Sequence, residues 1–314
     1  MMRRIIKTIV LILCCIICIS CSSKDKVKIE QIYAFNTTID ISITSSKDSL
    51  DEACQRIKEL LYLYSDLCDC YSQKDVNNIY TINHTNEFVE VDSLLVVLLQ
   101  EALLLQTETN GYFNILIGEV SNTYKELIKT SDLSLLDGIE EKVNDINNTS
   151  IEIDGNNVKR VGNATIDLGG IAKGYALKEV EKVLKEYEIT TYLINAGYSS
   201  ILLGSKSGKD YKVGLRYTKD MALNLQNMVV TTSSIEEQKI NIDGQIYHHL
   251  VNPKTGYCEN KYSTIYLIGS DASMLDAYST AFFSMDLEDI KRLCEAKNIK
   301  YIIYNNTNLL ASNN

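Results

Sequence analysis

The sequence has 314 residues, of which 45% are hydrophobic, and this is enough for one large globular core or two smaller lobes. Its only proline, Pro253, argues against proline-rich linkers and recognition tails. The formal net charge of −10 indicates ordinary solubility and argues against a nucleic-acid partner, because phosphate neutralisation needs clustered lysine and arginine.

Residues 1–20 have the composition of a secretory signal peptide. Arg3, Arg4 and Lys7 form a basic start, and the apolar run Ile9–Ile19 follows. This run is too short to cross a bilayer as a permanent helix, but it suits the hydrophobic region of an export signal.

The end of this signal resembles a bacterial lipobox. A small residue, Ser20, precedes Cys21, although Cys18 stands at the usual leucine position. The resemblance implies cleavage before Cys21 and attachment of lipid to its thiol. A plain signal peptide cut elsewhere and a short uncleaved anchor are the alternatives. Residues 21–29 are then predicted to be a polar tether, and residues 30–314 one catalytic unit.

Periodicity predicts both strands and helices after the tether. Lys28–Thr44 alternates apolar and polar residues, which predicts one or two strands. Asp154–Asn157 and Asp243-Gly244 are predicted hairpin turns, and Tyr262–Ile268 and Lys300–Tyr304 are predicted strands. Apolar residues at helical spacing predict helices over Ser49–Leu67, Asp92–Thr109, Ala172–Tyr187, Ser273–Met285 and 287–297. The second helix is strongly apolar and is expected at the centre. The mixture predicts an α+β fold, with mixed or antiparallel sheets and packed helices.

The cysteines do not form a recognisable framework. Four of the nine lie in or at the end of the signal, and the other five show neither zinc-site nor disulfide spacing. We interpret those five as mostly free thiols. They are Cys54, Cys68, Cys70, Cys258 and Cys294.

The segment Thr165–Ala176 (TIDLGGIAKGYA) has features of a diphosphate site. Gly169 and Gly170 let a ligand approach the backbone, and the N-terminus of the following helix offers N–H groups and partial positive charge. Lys173 adds a full charge there. The alternative is an ordinary turn into a helix with a solvated lysine, and the residues alone favour neither.

The segment Tyr247–Gly256 (YHHLVNPKTG) holds two of the three histidines. Pro253 makes the turn rigid, and a histidine beside it could act as a general base, since its pKa lies near working pH. From these residues alone, a histidine bonded to backbone at a strand end is the better-supported alternative.

The segment MLDAYSTAFFSM places Asp276 and Thr280 four residues apart, on one face of a predicted helix. A carboxylate and a hydroxyl, with a backbone carbonyl and waters, suit Mg²⁺. An aspartate favouring the helix dipole and a packed threonine are the simpler alternative.

In order and spacing, the three segments resemble the ApbE family of FAD:protein FMN transferases, whose pattern is roughly D-L-G-G-I-A-K-G-Y-A, H-I-I-D-P-x-T-G and D-A-L-x-T-A. The resemblance covers nearly all of 30–312 and implies the fold of that family. Four further stretches resemble the family: AFNTTIDI at 34–41, YSQKDVNNIYTIN at 71–83, TNGYFNILIG at 109–118 and LINAGYSSILLG at 193–204.

The resemblance implies which residues contact FAD as substrate. These are Asp167 and Lys173 in the first segment, with Tyr112, Phe113 and Asn114 in the NGYFN turn.

The resemblance also implies a metal site and a base. The backbone carbonyl of Gly170 and the side chains of Asp276 and Thr280 would bind Mg²⁺, which would neutralise the diphosphate and stabilise departing AMP. His249 would help to deprotonate an acceptor threonine.

The sequence departs from the family pattern at presumed flavin or turn positions, while the implied Mg²⁺ ligands are intact. The departures are Asn252 and Asn114 for aspartate, Tyr198 and Ser234 for glycine, and Phe35-Asn36 for Met-Gly.

Three functional hypotheses follow. The first is transfer of FMN from FAD to a threonine of an acceptor flavoprotein, with release of AMP. The second is a Mg²⁺-dependent FAD pyrophosphatase, in which water replaces the acceptor. The third is a flavin-binding lipoprotein without catalysis, which the departures at 198, 234 and 252 motivate. In each case the protein is expected on the extracytoplasmic face of the cell membrane, lipid-anchored, with a membrane or extracytoplasmic redox subunit as acceptor for the transferase.

Overall fold

The structure is a computed structural model that describes residues 25–206, 208–218 and 221–313. The predicted signal peptide, residues 1–20, and the predicted lipidation site, Cys21, lie outside these residues. Among the described helices, none combines the length and the apolar composition that crossing a bilayer requires.

Fifteen strands are present among the described residues. Numbered along the chain, they are β1 (Lys26–Ala34), β2 (Thr37–Ser45), β3 (Val89–Glu90), β4 (Ser150–Asp154), β5 (Asn157–Val161), β6 (Thr191–Ala196), β7 (Ser200–Leu203), β8 (Tyr211–Gly214), β9 (Ala222–Leu225), β10 (Met228–Ser234), β11 (Lys239–Ile242), β12 (Gln245–His248), β13 (Thr264–Gly269), β14 (Lys300–Asn305) and β15 (Asn308–Ser312).

Eight of these strands form one antiparallel sheet, in the order β1-β2-β6-β7-β10-β13-β14-β15. A small sheet β3-β5-β4 and the hairpins β8-β9 and β11-β12 lie outside it.

The described residues also form eight α-helices. They are α1 (Leu50–Leu67), α2 (Ile79–Asn83), α3 (Ser93–Glu108), α4 (Gly118–Thr130), α5 (Ile139–Asn147), α6 (Ala172–Glu186), α7 (Ala272–Ala281) and α8 (Leu287–Ala296). The α+β prediction is therefore confirmed. The predicted helix over Ser273–Met285 ends earlier, because Phe282–Ser284 tightens into a 3₁₀ turn.

Two sequence expectations need correction. The predicted tether over 21–29 overlaps β1, which starts at Lys26 because the backbone pairs with β2 from that residue onward, with Lys26 opposite Ser45. Helix α3 is also not central. It buries one face, but Val97 and Leu104 on the other face are 50% and 58% exposed.

The large sheet has a different cover on each face. Helices α1, α6 and α7 pack together over one face and enclose the main core. On the other face, the β8-β9 hairpin encloses a smaller apolar cluster that includes Leu203, Val213 and Tyr266. All five cysteines of the described residues are free thiols, as predicted. The packing of α6 against α7 then positions the functional site.

Candidate functional site

The first and third predicted segments meet where α6 begins. The backbone N–H of Gly174 donates a hydrogen bond to Asp276 Oδ2 at 2.9 Å, although the two residues lie 102 positions apart. A Cβ atom built on Gly170 would lie 3.1 Å from Thr280 Oγ1. The structure therefore brings together the three predicted metal ligands, Gly170, Asp276 and Thr280.

Asp276 is a buried carboxylate with two protein donors. Besides the Gly174 amide, the hydroxyl of Ser200 donates to Oδ1 at 3.0 Å, and the residue is only 6% exposed. Burial raises the pKa of Asp276, while the positive charge of Lys173 opposes that rise. Sequence reasoning missed Ser200. Its position within the LINAGYSSILLG stretch was the available signal.

The close approach of α6 to α7 requires glycine at position 174. A Cβ there would lie 2.2 Å from the carbonyl oxygen of Ala272 and 2.6 Å from Asp276 Cβ. Alanine usually stabilises a helix interior relative to glycine, but here the overlap would push the helices apart.

We expect Gly174→Ala to lower the free energy of unfolding by about 1–3 kcal/mol, because the overlap forces backbone shifts. Urea denaturation measures this change. Gly214→Ala is the matched control, since a Cβ at Gly214 meets nothing within 4 Å. Equal stability of the two variants would contradict the steric explanation.

The donor set at Asp276 fits Mg²⁺. Thr280 Oγ1 donates to the carbonyl of Asp276 at 3.2 Å, so its lone pairs remain available to a cation. The Asp276 carboxylate accepts two hydrogen bonds and can accept more, and a divalent cation would offset its desolvation. The glycine at 170 keeps the space beside Thr280 open.

Lys173 stands in the first turn of α6, and the described residues offer its ammonium no ion-pair partner. The helix N-terminus is less open than predicted. The Ala172 amide bonds the Leu168 carbonyl and the Gly174 amide bonds Asp276, which leaves the Lys173 amide unpaired among the described residues. Charge from Lys173, rather than a row of free amides, is the main attraction for a phosphate here.

Asp167 is held by groups of the protein itself. Its Oδ1 accepts from the Gly169 amide at 2.8 Å, and its Oδ2 lies 3.3 Å from Lys125 Nζ. The Asp167 amide bonds the Ile115 carbonyl, which fixes this segment against the NGYFN turn. Sequence reasoning missed Lys125, because α4, which carries it, was not predicted.

The NGYFN turn contacts both neighbouring segments. A Cβ on Gly170 would lie 3.3 Å from the ring of Phe113, and the ammonium of Lys254 lies 3.7 Å from the ring centroid of Tyr112. Asn114 caps its own turn by accepting from the Leu116 amide at 2.9 Å, a role that aspartate would also perform. Of these three residues, Phe113 is the one shown beside the Gly170–Thr280 pair.

His249 is half-buried and has a defined tautomer. Its Nδ1 lies 3.1 Å from the carbonyl oxygen of Gln238, which can only accept, so Nδ1 carries the hydrogen and Nε2 keeps a lone pair. Burial lowers the pKa of His249, and the charges of Lys173 and Lys125 lower it further, while Glu237 raises it. The ring is therefore neutral at neutral pH and can accept a proton at Nε2.

The neighbouring His248 has the opposite tautomer and a structural role. The Leu250 amide donates to its Nδ1 at 3.3 Å, so its Nε2 donates to the carbonyl of Glu259 at 3.2 Å. Burial lowers the pKa of His248 to about 4. Both ring nitrogens are occupied, which leaves His249 as the available base of the pair.

Asn252, which departs from the family's aspartate, uses its amide as a donor. Its Nδ2 donates to Glu259 Oε1 at 2.6 Å, and its Oδ1 accepts from the Lys254 amide at 2.9 Å. Aspartate would make the second bond but not the first.

We expect Asn252→Asp to lower the free energy of unfolding at neutral pH by about 2 kcal/mol, because two carboxylates would face each other. Repulsion would raise the pKa of the introduced carboxyl, so the loss should shrink as pH falls and the group is protonated. Thermal unfolding between pH 4 and 8 measures this. The double variant Asn252→Asp with Glu259→Gln should regain stability, and no recovery would contradict the explanation.

Comparison with known proteins identifies the family of this chain. The profile of the ApbE family matches residues 35–303. The chain belongs to the ApbE family. The chain is similar to a crystal structure of the ApbE protein of Thermotoga maritima, with 25% sequence identity and a TM-score of 0.75. The match covers 88% of this chain and 94% of the Thermotoga chain.

Two sequence relatives are named FAD:protein FMN transferase. The one from Klebsiella pneumoniae is 29% identical over 39% of this chain and 40% of its own length. The one from Treponema pallidum is 22% identical over 64% of this chain and 62% of its own. The matched stretches thus span less than two thirds of these curated relatives.

Within the ApbE pattern, two departures fall where backbone conformation favours glycine. Tyr198 has φ +62° and is 58% exposed, and its amide donates to Asn195 Oδ1. Phe35 and Asn36 have φ +52° and +56° in the turn that joins β1 to β2. Tyr198 and Phe35 thus adopt a left-handed backbone conformation that is uncommon for aromatic residues, whereas asparagine, as at position 36, tolerates it. Ser234 is different, because its hydroxyl caps a 3₁₀ turn by accepting from the Glu236 amide.

Proposed function

We propose that this protein transfers FMN from FAD to a threonine hydroxyl of an acceptor flavoprotein and releases AMP. The observation that carries the proposal is the bond between the Gly174 amide and Asp276, which holds the Lys173 helix against a buried carboxylate. Family membership and the names of the relatives support the same activity.

In the proposed reaction, the threonine oxygen attacks the phosphorus on the FMN side of the diphosphate. The bond from that phosphorus to the bridging oxygen breaks, and AMP leaves. His249 Nε2 takes the threonine proton, since Nδ1 is occupied by Gln238. Lys173 attracts the diphosphate, and Phe113, Tyr112 and Asp167 line the approach to it.

Gly170, Asp276 and Thr280 would hold Mg²⁺, which when bound neutralises the phosphate charge and stabilises the leaving group. The protein's own part is to keep the Asp276 carboxylate ionised and in place. The Gly174 amide, the Ser200 hydroxyl and the charge of Lys173 do this.

Mass spectrometry of an acceptor tests the proposal. The protein is incubated with FAD, Mg²⁺ and a candidate flavoprotein from the same genome, and the acceptor should gain the mass of FMN on a threonine. AMP release that depends strictly on the acceptor supports transfer. Release of FMN and AMP without acceptor would identify a pyrophosphatase instead, and FAD binding without AMP release would identify a non-catalytic flavin-binding protein.

We further propose that the mature protein is lipid-anchored through Cys21 at the extracytoplasmic face of the membrane. The lipobox-like sequence before Cys21 supports this. Metabolic labelling with a radioactive fatty acid should label the parent protein but not Cys21→Ser. Equal labelling of the two would contradict lipidation at this cysteine.

A further inference from the structure

Lys125 forms an unusual cluster beside the proposed FAD site. Its ammonium lies 3.3 Å from Asp167 Oδ2, contacts the hydroxyl of Tyr71 and lies 4.7 Å from the centroid of that ring. The three residues come from α4, from the segment before α6 and from the loop after α1. Their contacts are therefore tertiary, and they place the ammonium at one point of the site.

Lys125 differs from Lys129, the other lysine of its helix. Lys129 is 73% exposed and pairs with Glu126 one turn away, as solvated helix lysines commonly do. The Lys125 side chain is 37% exposed, and the carboxylate that it contacts is 11% exposed. A lysine held toward a half-buried carboxylate loses rotamer freedom, which ordinary solvation would not require.

The position of Lys125 relative to the segment before α6 indicates its role. Its partner Asp167 accepts a hydrogen bond from the Gly169 amide, so the ammonium lies beside the segment that carries Gly170 and Lys173, where the reacting phosphate is proposed to sit. The charges of Lys125 and Lys173 both lower the pKa of His249, which agrees with this placement. Asp167 and Tyr71 use two of the three Lys125 donors, and the described residues leave the third free. Asp167 partly neutralises the charge of Lys125, whereas Lys173 has no ion-pair partner among the described residues.

We propose that Lys125 is a second cation that binds the diphosphate of FAD. Asp167 and Tyr71 hold its ammonium in place before FAD arrives. The inference rests on the proposed function and adds a substrate-binding residue, Lys125, to it. Because its ammonium is already ordered, Lys125 would bind phosphate with little further loss of freedom. Asp167 then acts by orienting Lys125, in addition to any contact of its own with FAD.

Calorimetric titration with FAD in the presence of Mg²⁺ tests this role in three variants of the full chain. We expect Lys125→Met to raise the Kd about tenfold, Lys125→Arg to stay within about threefold of the parent, and Lys129→Met to match the parent. The slope of log Kd against log salt should be shallower for Lys125→Met than for the parent, because one charge–phosphate contact is gone. With acceptor present, KM for FAD should rise while kcat changes little.

Parent-like FAD affinity and salt slope in Lys125→Met would overturn the assignment of Lys125, even if the parent transfers FMN. The assignment would also be overturned if Lys125→Arg weakened FAD binding as much as Lys125→Met does. That result would mean that the shape of the lysine side chain matters and its charge does not. Failure of the parent itself to bind FAD is a separate result, which would refute the proposed function first.

Discussion

Asp276→Asn is expected to reduce the rate of AMP release about 1000-fold, which corresponds to about 4 kcal/mol of lost transition-state stabilisation. Asparagine has nearly the same shape, and its carbonyl oxygen can still accept from the Gly174 amide. The change therefore removes the charge that would bind Mg²⁺ while leaving the packing of α6 on α7 intact.

Thermal unfolding provides a second measurement that does not depend on turnover. Mg²⁺ at 100 times its Kd should stabilise the parent by about 2.7 kcal/mol and the variant not at all. Without Mg²⁺, the variant should be at least as stable as the parent, because burial disfavours the Asp276 charge and raises its pKa.

Asp271→Asn is the matched control for this experiment. Asp271 caps the same helix by accepting from the Met274 amide, and asparagine caps helices equally well. This control should keep both the rate and the stabilisation by Mg²⁺. Mg²⁺ stabilisation of Asp276→Asn equal to that of the parent would refute the metal site.

His249→Ala should lower the rate of FMN transfer by a factor of about 10² to 10⁴, which is the usual contribution of a general base. FAD affinity should change little, because the imidazole acts on the acceptor hydroxyl. Quantification of flavinylated acceptor measures the effect, and His84→Ala, which removes an exposed histidine stacked on Tyr80, is the control. Added imidazole should restore part of the activity of His249→Ala but not of Asp276→Asn.

The pH profile of the parent should report the same histidine. The pKa of His249 lies below its ordinary value of 6.5, so the base stays unprotonated through neutral pH and the rate falls only as pH drops further below that value. If the rate already decreases as the pH is lowered from 8 to 7, His249 is not the base.

Local sequence pattern accounts for much of the fold. The predicted helix over Ala172–Tyr187, observed over Ala172–Glu186, and the predicted hairpin turns at Asp154–Asn157 and Asp243-Gly244 are confirmed, because periodic burial and turn residues are local properties. Helix α4 was missed, although its buried residues Val120, Tyr124 and Leu127 follow helical spacing. Its many polar residues obscure that pattern.

Partners distant along the chain could not be predicted from local pattern. Strand β2 pairs with β6, and nothing in either strand specifies the other. The same limit applies to the site. The segment motifs identified Asp276 and His249, but Ser200 and Lys125 reach the site only through tertiary packing. The tautomers that separate His249 from His248 likewise depend on the carbonyls of Gln238 and Glu259.

The strand order also fixes where an experimental tag can be attached. The first and last strands, β1 and β15, form opposite edges of the eight-stranded sheet, and seven inter-strand spacings of about 4.8 Å separate them by roughly 34 Å. A fluorophore or affinity handle attached at the exposed position Leu310 in β15 therefore lies at the sheet edge opposite Lys26. A surface-immobilised sample held by that handle would leave the N-terminal edge free.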